Sequence, residues 1–167
     1  MSGRKYYYYV EGDTEKELIN ILKSKLRCIQ SGKVTKFNVV NEHFSKMHMR
    51  VLSQDCVVIL VYDTDVNNAE ILNENIAFLR KNSIKNIWYI PQVNDLEDEL
   101  VRSCDIKSVL ELTGSVSIKD YKKDFLKSKN LDIKLQKHNF DISKFWNELP
   151  KNSFSVFGND SDKIKIK

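Results

Sequence analysis

Glycine and proline are scarce, five and two in 167 residues. That scarcity argues against long flexible linkers, and the length suits one domain with its own core. Cys28, Cys56 and Cys104 are odd in number and far apart, with no C-x-x-C pair. Neither a structural zinc site nor a disulfide framework is suggested, and a reducing cytoplasm is the expected compartment. Long apolar runs are missing too. The longest, residues 57–62, is far too short to span a bilayer. The N-terminus shows no apolar stretch ahead of a small-residue cleavage site. No G-x-x-x-x-G-K-[ST] sequence occurs, so an ATPase of that kind is not encoded in this chain. Charge of one sign is in small excess, +4 overall, a weak argument for a polyanionic partner.

What is present reads as a globular α/β protein. Hydrophobic residues at 41% and charged residues at 30% exclude a disordered composition. Residues 5–10, with four consecutive tyrosines and a valine, have strong β propensity. Gly12 breaks that strand, Asp13 or Thr14 caps a helix, and Leu18, Leu22 and Leu26 repeat one turn apart over residues 16–27. A second strand is expected over 35–41 and a short helix within 42–54. Residues 56–62 form a continuous apolar run, the pattern of a strand covered on both faces of a parallel sheet. A helix to about residue 81 follows, then a strand over 84–90 stopped at Pro91, then a helix over 96–104. Beyond residue 105 helices are expected over 107–112, 118–127 and 142–149. Alternating strands and helices predict a mostly parallel sheet flanked by helices, with a helical C-terminal extension. Residues 1–150 are read as a single domain and 151–167 as a polar tail, disordered or a short strand.

The chemistry-bearing residues sit where strands end. Glu11 follows the first strand, Asp63 and Asp65 end the most buried one, and Asp95 and Glu97 follow the strand that ends near Pro91. Ligands of open α/β sheets bind outside the carboxyl ends of the strands. Five carboxylates at one sheet edge repel each other, and a divalent cation removes that conflict. Mg²⁺ prefers oxygen donors and keeps several waters, so a few carboxylates suffice. The two-residue period of a strand turns Asp63 and Asp65 to the same side. Taken singly, each acid has a plainer reading as a turn residue or a first-turn helix acid. His43, His48 and His138 are read as surface or packing residues, since hard ions prefer oxygen. Trp88, Trp146 and the Tyr6–Tyr9 run are read as packing residues.

Val10-Glu11-Gly12-Asp13-Thr14-Glu15 resembles the opening motif of the Toprim domain in OLD-family (overcoming lysogenization defect) nucleases. The apolar strand ending in Asp63-Thr64-Asp65 is similar to the second Toprim motif, and Asp95-Leu96-Glu97 to the downstream acidic one. The resemblance spans roughly residues 5–105. It implies a Rossmann-like Toprim fold and Mg²⁺- or Mn²⁺-dependent phosphodiester chemistry on DNA or RNA. It implies a primary metal site of Glu11, Asp63 and Asp65, and a second of Glu15, Asp95 and Glu97. It also implies a late lysine that stabilises the transition state, for which Lys119 and Lys122 are the candidates. OLD nucleases carry an ATPase domain that this chain lacks, so a separate ATPase or other subunit is the implied partner. A stand-alone nuclease of a phage-defence or toxin system fits the length, with homo-oligomerisation left open.

Two rivals remain at this level. One is a non-catalytic Toprim-like module that binds nucleic acid or a partner protein. The other is a receiver-like or phosphohydrolase domain in which Asp63 is phosphorylated. Residues 114–137 carry seven lysines and three aspartates, a solvated helix face or a basic rim for phosphates. Lys151, Lys163, Lys165 and Lys167 are further candidates for backbone contacts of the salt-dependent kind.

Overall fold

Tyr6–Val10 forms β1, and the alternation of its side chains decides the architecture. Tyr8 and Val10 face one core, Tyr7 and Tyr9 the other. A strand with large side chains on both faces must be covered on both. In the computed structural model, which describes residues 3–166, the elements run β1, α1 (Asp13–Ser24), β2 (Lys33–Lys36), α2 (Lys46–Met49), β3 (Val57–Asp63), α3 (Glu70–Lys81) and β4 (Asn86–Gln92). They continue as α4 (Leu96–Ser103), α5 (Leu110–Thr113), α6 (Ile118–Lys127) and α7 (Leu131–Lys137). The four strands form one sheet in the order β2-β1-β3-β4, and every pairing is parallel. This is an α/β fold with a helical C-terminal region, as the strand–helix alternation predicts.

The cores lie on opposite faces of the sheet. One gathers Val57, Ile59 and Val61 of β3 with α1, α4, α6 and α7, around Leu18, Leu22, Leu100, Phe125 and Leu135. The other gathers Val58, Leu60 and Tyr62 with α3 and the irregular stretch 37–45, around Phe37, Val39, Phe44, Leu72 and Leu79. Residues 57–62 are all buried. Each such side chain removed from water contributes about 1.5–3 kcal/mol, which explains why the most apolar run takes the central position. Asn75, on the inner side of α3, holds the irregular stretch in place. Its Oδ1 accepts from the Phe44 N–H, and its Nδ2 donates to the carbonyls of Val39 and Glu42.

Several expectations are corrected. The second strand is short and early, 33–36 instead of 35–41, because Phe37, Val39 and Phe44 are drawn into the α3 core. The helix expected within 42–54 shrinks to four residues. The first helix ends at Ser24, and the chain reverses at Arg27, whose φ is 52°. Pro91 does not stop the fourth strand; it pairs with Tyr62 inside it. β4 is an edge strand, and Tyr89 directs its N–H and C=O outward to Asp160, so Pro91, two residues on, loses its N–H on the side that needs none. No helix forms over 142–149, where Trp146 has a φ of 56°. Helix α7, by contrast, had no sequence counterpart.

Residues 151–166 lie against the rest of the protein. Phe154 is buried beside Tyr62, Ile164 enters the α1 core, and Lys165 forms an antiparallel bridge with Ile29. Lys167 lies outside the described residues. Among those that are described, no helix is long and apolar enough to cross a membrane.

Candidate metal centre

The strand order places a reversal between β1 and β3. From β1 the chain crosses to β2 on one side; from β3 it crosses to β4 on the other. At such a switch point the loops leaving the two central strands diverge and leave a crevice at their carboxyl ends. Glu11 is the residue after β1, and Asp63 is the last residue of β3. They flank the crevice and stand within hydrogen-bonding reach of each other.

Around this pair the other acids gather. Glu11, Glu15, Asp63, Asp65, Asp95 and Glu97 line one cleft of about 440 Å³ together with Gly12, Asp13, Thr14, Lys122 and Leu126. A hollow of about 330 Å³ opens on the other flank and shares Glu11, Asp63 and Asp65, with Asn41, Asn68 and Ile71 in its wall. The acidic edge is thus a saddle between two depressions. A hollow of similar size behind it, bounded by Thr64, Asn94 and Lys151, lacks such a concentration of titratable groups.

Local chemistry sets each side chain. Thr64, between the two aspartates, is buried; its hydroxyl donates to the Gln92 carbonyl at 2.9 Å, and its N–H bonds to the end of β4. That anchor turns Asp65 outward, beyond the strand and exposed. Gly12 leaves room for Glu15: a Cβ at residue 12 would lie 2.8 Å from the Glu15 carboxylate. Asn94, with φ 66°, makes the turn that presents Asp95, which caps α4 by accepting from the Asp98 N–H at 2.9 Å. Asp95 therefore serves as helix cap and cleft wall at once.

The electrostatics are those of crowded negative charge. Burial raises the Asp63 carboxyl most, and Glu11, Glu15 and Asp95 add to it, against a hydrogen bond from Gln92. Glu11 is raised by burial and by Asp65, with its bond to Asp63 opposing. Both carboxyls are thus held above the ordinary carboxylate range, each by burial first. Glu15 is raised by burial, then by Glu11 and Glu97. Burial pulls the Lys122 ammonium down, but Glu97, Glu15 and Asp63 outweigh it and the net shift is upward. Lys122 Nζ stands 3.5 Å from Glu97. Lys119, the other candidate, is exposed and does not line the cleft.

Two features escaped the sequence reading. Gln92, fully buried, donates from Nε2 to Asp63 Oδ1 at 2.6 Å. Tyr121, also fully buried, has a hydroxyl with no partner, raised first by burial and then by the nearby charges of Glu97 and Glu15. The histidines stand apart from the cleft: His43 pairs with Glu74, and His48 bonds to Ser45.

Among the described residues, no three carboxylate, histidine or cysteine side chains converge into a finished ion cage. The donors are all oxygen and few at any one point. That set fits a hard divalent ion that retains several waters, and fits zinc poorly. Comparison with protein-family models, with curated proteins and with solved structures finds no match to this chain. The class that the fold and site define is an α/β protein with a parallel sheet and an acidic crevice at its switch point.

Proposed function

We propose that this chain is a Toprim-type nuclease that hydrolyses phosphodiester bonds of DNA or RNA with Mg²⁺ or Mn²⁺. One observation carries the reading: Glu11 and Asp63 meet across the switch point, with Gln92 as the side-chain donor to Asp63 and Lys122 in the same cleft. The ordered motifs on β1, β3 and after β4 agree with it.

Glu11, Asp63 and Asp65 would hold the primary ion, and Glu15, Asp95 and Glu97 a second. Such an ion, when bound, supplies Lewis acidity at the scissile phosphate and lowers the pKa of a bound water. The protein's own part is positional and electrostatic. The crevice sets its acids against a single lining ammonium, that of Lys122, so a cation and the phosphate it carries are drawn to one edge. Lys122 faces the same volume and offsets the negative charge that builds on phosphorus and its oxygens in the transition state. Lysines along α6 add a largely sequence-independent attraction for the nucleic-acid backbone. A separate ATPase or other subunit is the proposed partner.

The test is cleavage of mixed DNA and total RNA by the purified chain in Mg²⁺, Mn²⁺ or EDTA, beside Glu11→Ala and Asp63→Ala. Cation-dependent cutting by the wild type that is lost in both variants is expected. Binding of nucleic acid with no cutting under any cation would replace the nuclease reading with that of a non-catalytic module.

A further inference from the structure

The acids of the cleft all come from the first hundred residues, yet the group that orients Asp63 is itself oriented from much further along the chain. Gln92 Nε2 donates to Asp63 Oδ1 at 2.6 Å, and Gln92 Oε1 accepts from the Trp146 indole N–H at 3.2 Å. Both Gln92 and Trp146 are buried. An indole N–H only donates, so the amide end facing it must be the oxygen. The opposite end, facing Asp63, is then the NH₂. Without the indole, the amide is free to turn its oxygen toward a carboxylate.

Trp146 is held for this task at some cost. Its φ of 56° is unfavourable for a bulky side chain. It persists because three partners fix its backbone: its N–H donates to Glu99 Oε2 at 3.0 Å, and its carbonyl accepts from Asn159 Nδ2 at 2.7 Å and Ser161 Oγ at 2.8 Å. Strain maintained by several contacts is a mark of a positioned residue. The same C-terminal segment grips the loop a second time, where Asn152 Nδ2 donates to the Thr64 carbonyl at 2.7 Å, between Asp63 and Asp65.

We infer that Trp146 is a positioning residue for the acidic edge: by fixing the amide orientation of Gln92 it holds Asp63 in the rotamer that receives a divalent cation. The cation half of this statement rests on the reading proposed above; the hydrogen-bond relay does not. Outer partners that orient a metal ligand typically change metal affinity by about 10–100-fold.

The experiment compares the full chain with Trp146→Phe, which removes the indole N–H and keeps an aromatic ring, and with Gln92→Met. Side-chain amide protons of Gln92 are followed by NMR without added cation, Mn²⁺ affinity by calorimetry, and folding by thermal melting. In the wild type the Gln92 amide protons should be resolved and slow to exchange; in Trp146→Phe that protection is lost. Mn²⁺ binding weakens about tenfold in both variants. Unchanged Gln92 protons in Trp146→Phe overturn the relay. So does a lowered melting temperature with unchanged Mn²⁺ affinity, which makes Trp146 a packing residue only. If the wild type binds no Mn²⁺, the metal reading fails, and the NMR comparison still decides the relay. Should Gln92→Met fail to fold, Trp146→Phe decides alone.

Discussion

Asp63 and Glu99 are both carboxylates withdrawn from solvent near the carboxyl ends of neighbouring strands, and they are treated oppositely. Glu99 is fully buried and surrounded by donors: the Val93 N–H at 2.9 Å, the Trp146 N–H at 3.0 Å and the Arg102 guanidinium at 2.8 Å. Asp63 has one donor, Gln92, and otherwise faces Glu11, Glu15 and Asp95. Burial raises both carboxyls; at Glu99 the partners pull back, and at Asp63 its neighbours push further. A buried acid ringed by donors is part of the scaffold. A half-buried acid ringed by acids is not satisfied by the scaffold, which is what the metal-site reading proposed above builds on.

The largest effect should come from breaking the scaffold member. Glu99→Gln leaves Arg102 without its buried partner, and breaking such a pair costs about 3–5 kcal/mol. Chemical denaturation should show that loss, and melting should fall by at least about 6 °C. A loss under about 1 kcal/mol would move Glu99 out of the scaffold class.

At the other member the effect falls on activity. Asp63→Asn and Glu11→Gln should each lower cation-dependent cleavage by at least about a hundredfold, about 2.7 kcal/mol in the barrier. Metal-free Asp63→Asn should nonetheless melt higher than the wild type, since it relieves like-charge crowding. A lower melting point would mean that the two acids support the fold as Glu99 does.

Next comes the cation of the cleft. Lys122→Met should slow turnover about tenfold, about 1.4 kcal/mol, while Lys119→Met stays within about twofold. The reverse order, read from initial rates, would transfer the role to Lys119.

The crowded pair also leaves its mark on the pH profile. Burial and Glu11 push the Asp63 carboxyl up to about 9, so the folded protein keeps a proton that the unfolded chain releases near the ordinary carboxylate range, about 4. Stability of the metal-free protein is then fullest below about 4 and declines as the pH rises toward about 9. Melting between pH 5 and 9 should show that decline in the wild type and a flatter curve in Asp63→Asn. Mn²⁺ should add more stability at pH 8 than at pH 5. Equal slopes for the two proteins would remove the crowded pair from the account.

How much of this was legible in the sequence depends on how local each signal was. The β3 run announces itself, since six consecutive buried apolar residues have one natural place in a parallel sheet. The acids at strand ends were legible because strand and acid are adjacent in the chain. Helix α7 was not, since Leu131 and Leu135 are its only buried side chains. Residues 142–149 have helical spacing, yet their geometry is decided by Glu99, whose carboxylate takes the Trp146 N–H. Gln92 could not be found at all: a single glutamine after a proline carries no pattern, and its meaning lies in a tryptophan 54 residues away.

The distance between Gln92 and Trp146 bears on the order in which the protein is made. Chains are synthesised from the N-terminus, and a domain generally folds as a unit. All seven acids of the cleft, Asp13 included, have been synthesised by Glu97, well before Trp146 and Asn152. A nascent chain can carry the acidic edge while lacking the segment that orients it. The cleft is therefore finished last, when the segment that carries Trp146 and Asn152 docks.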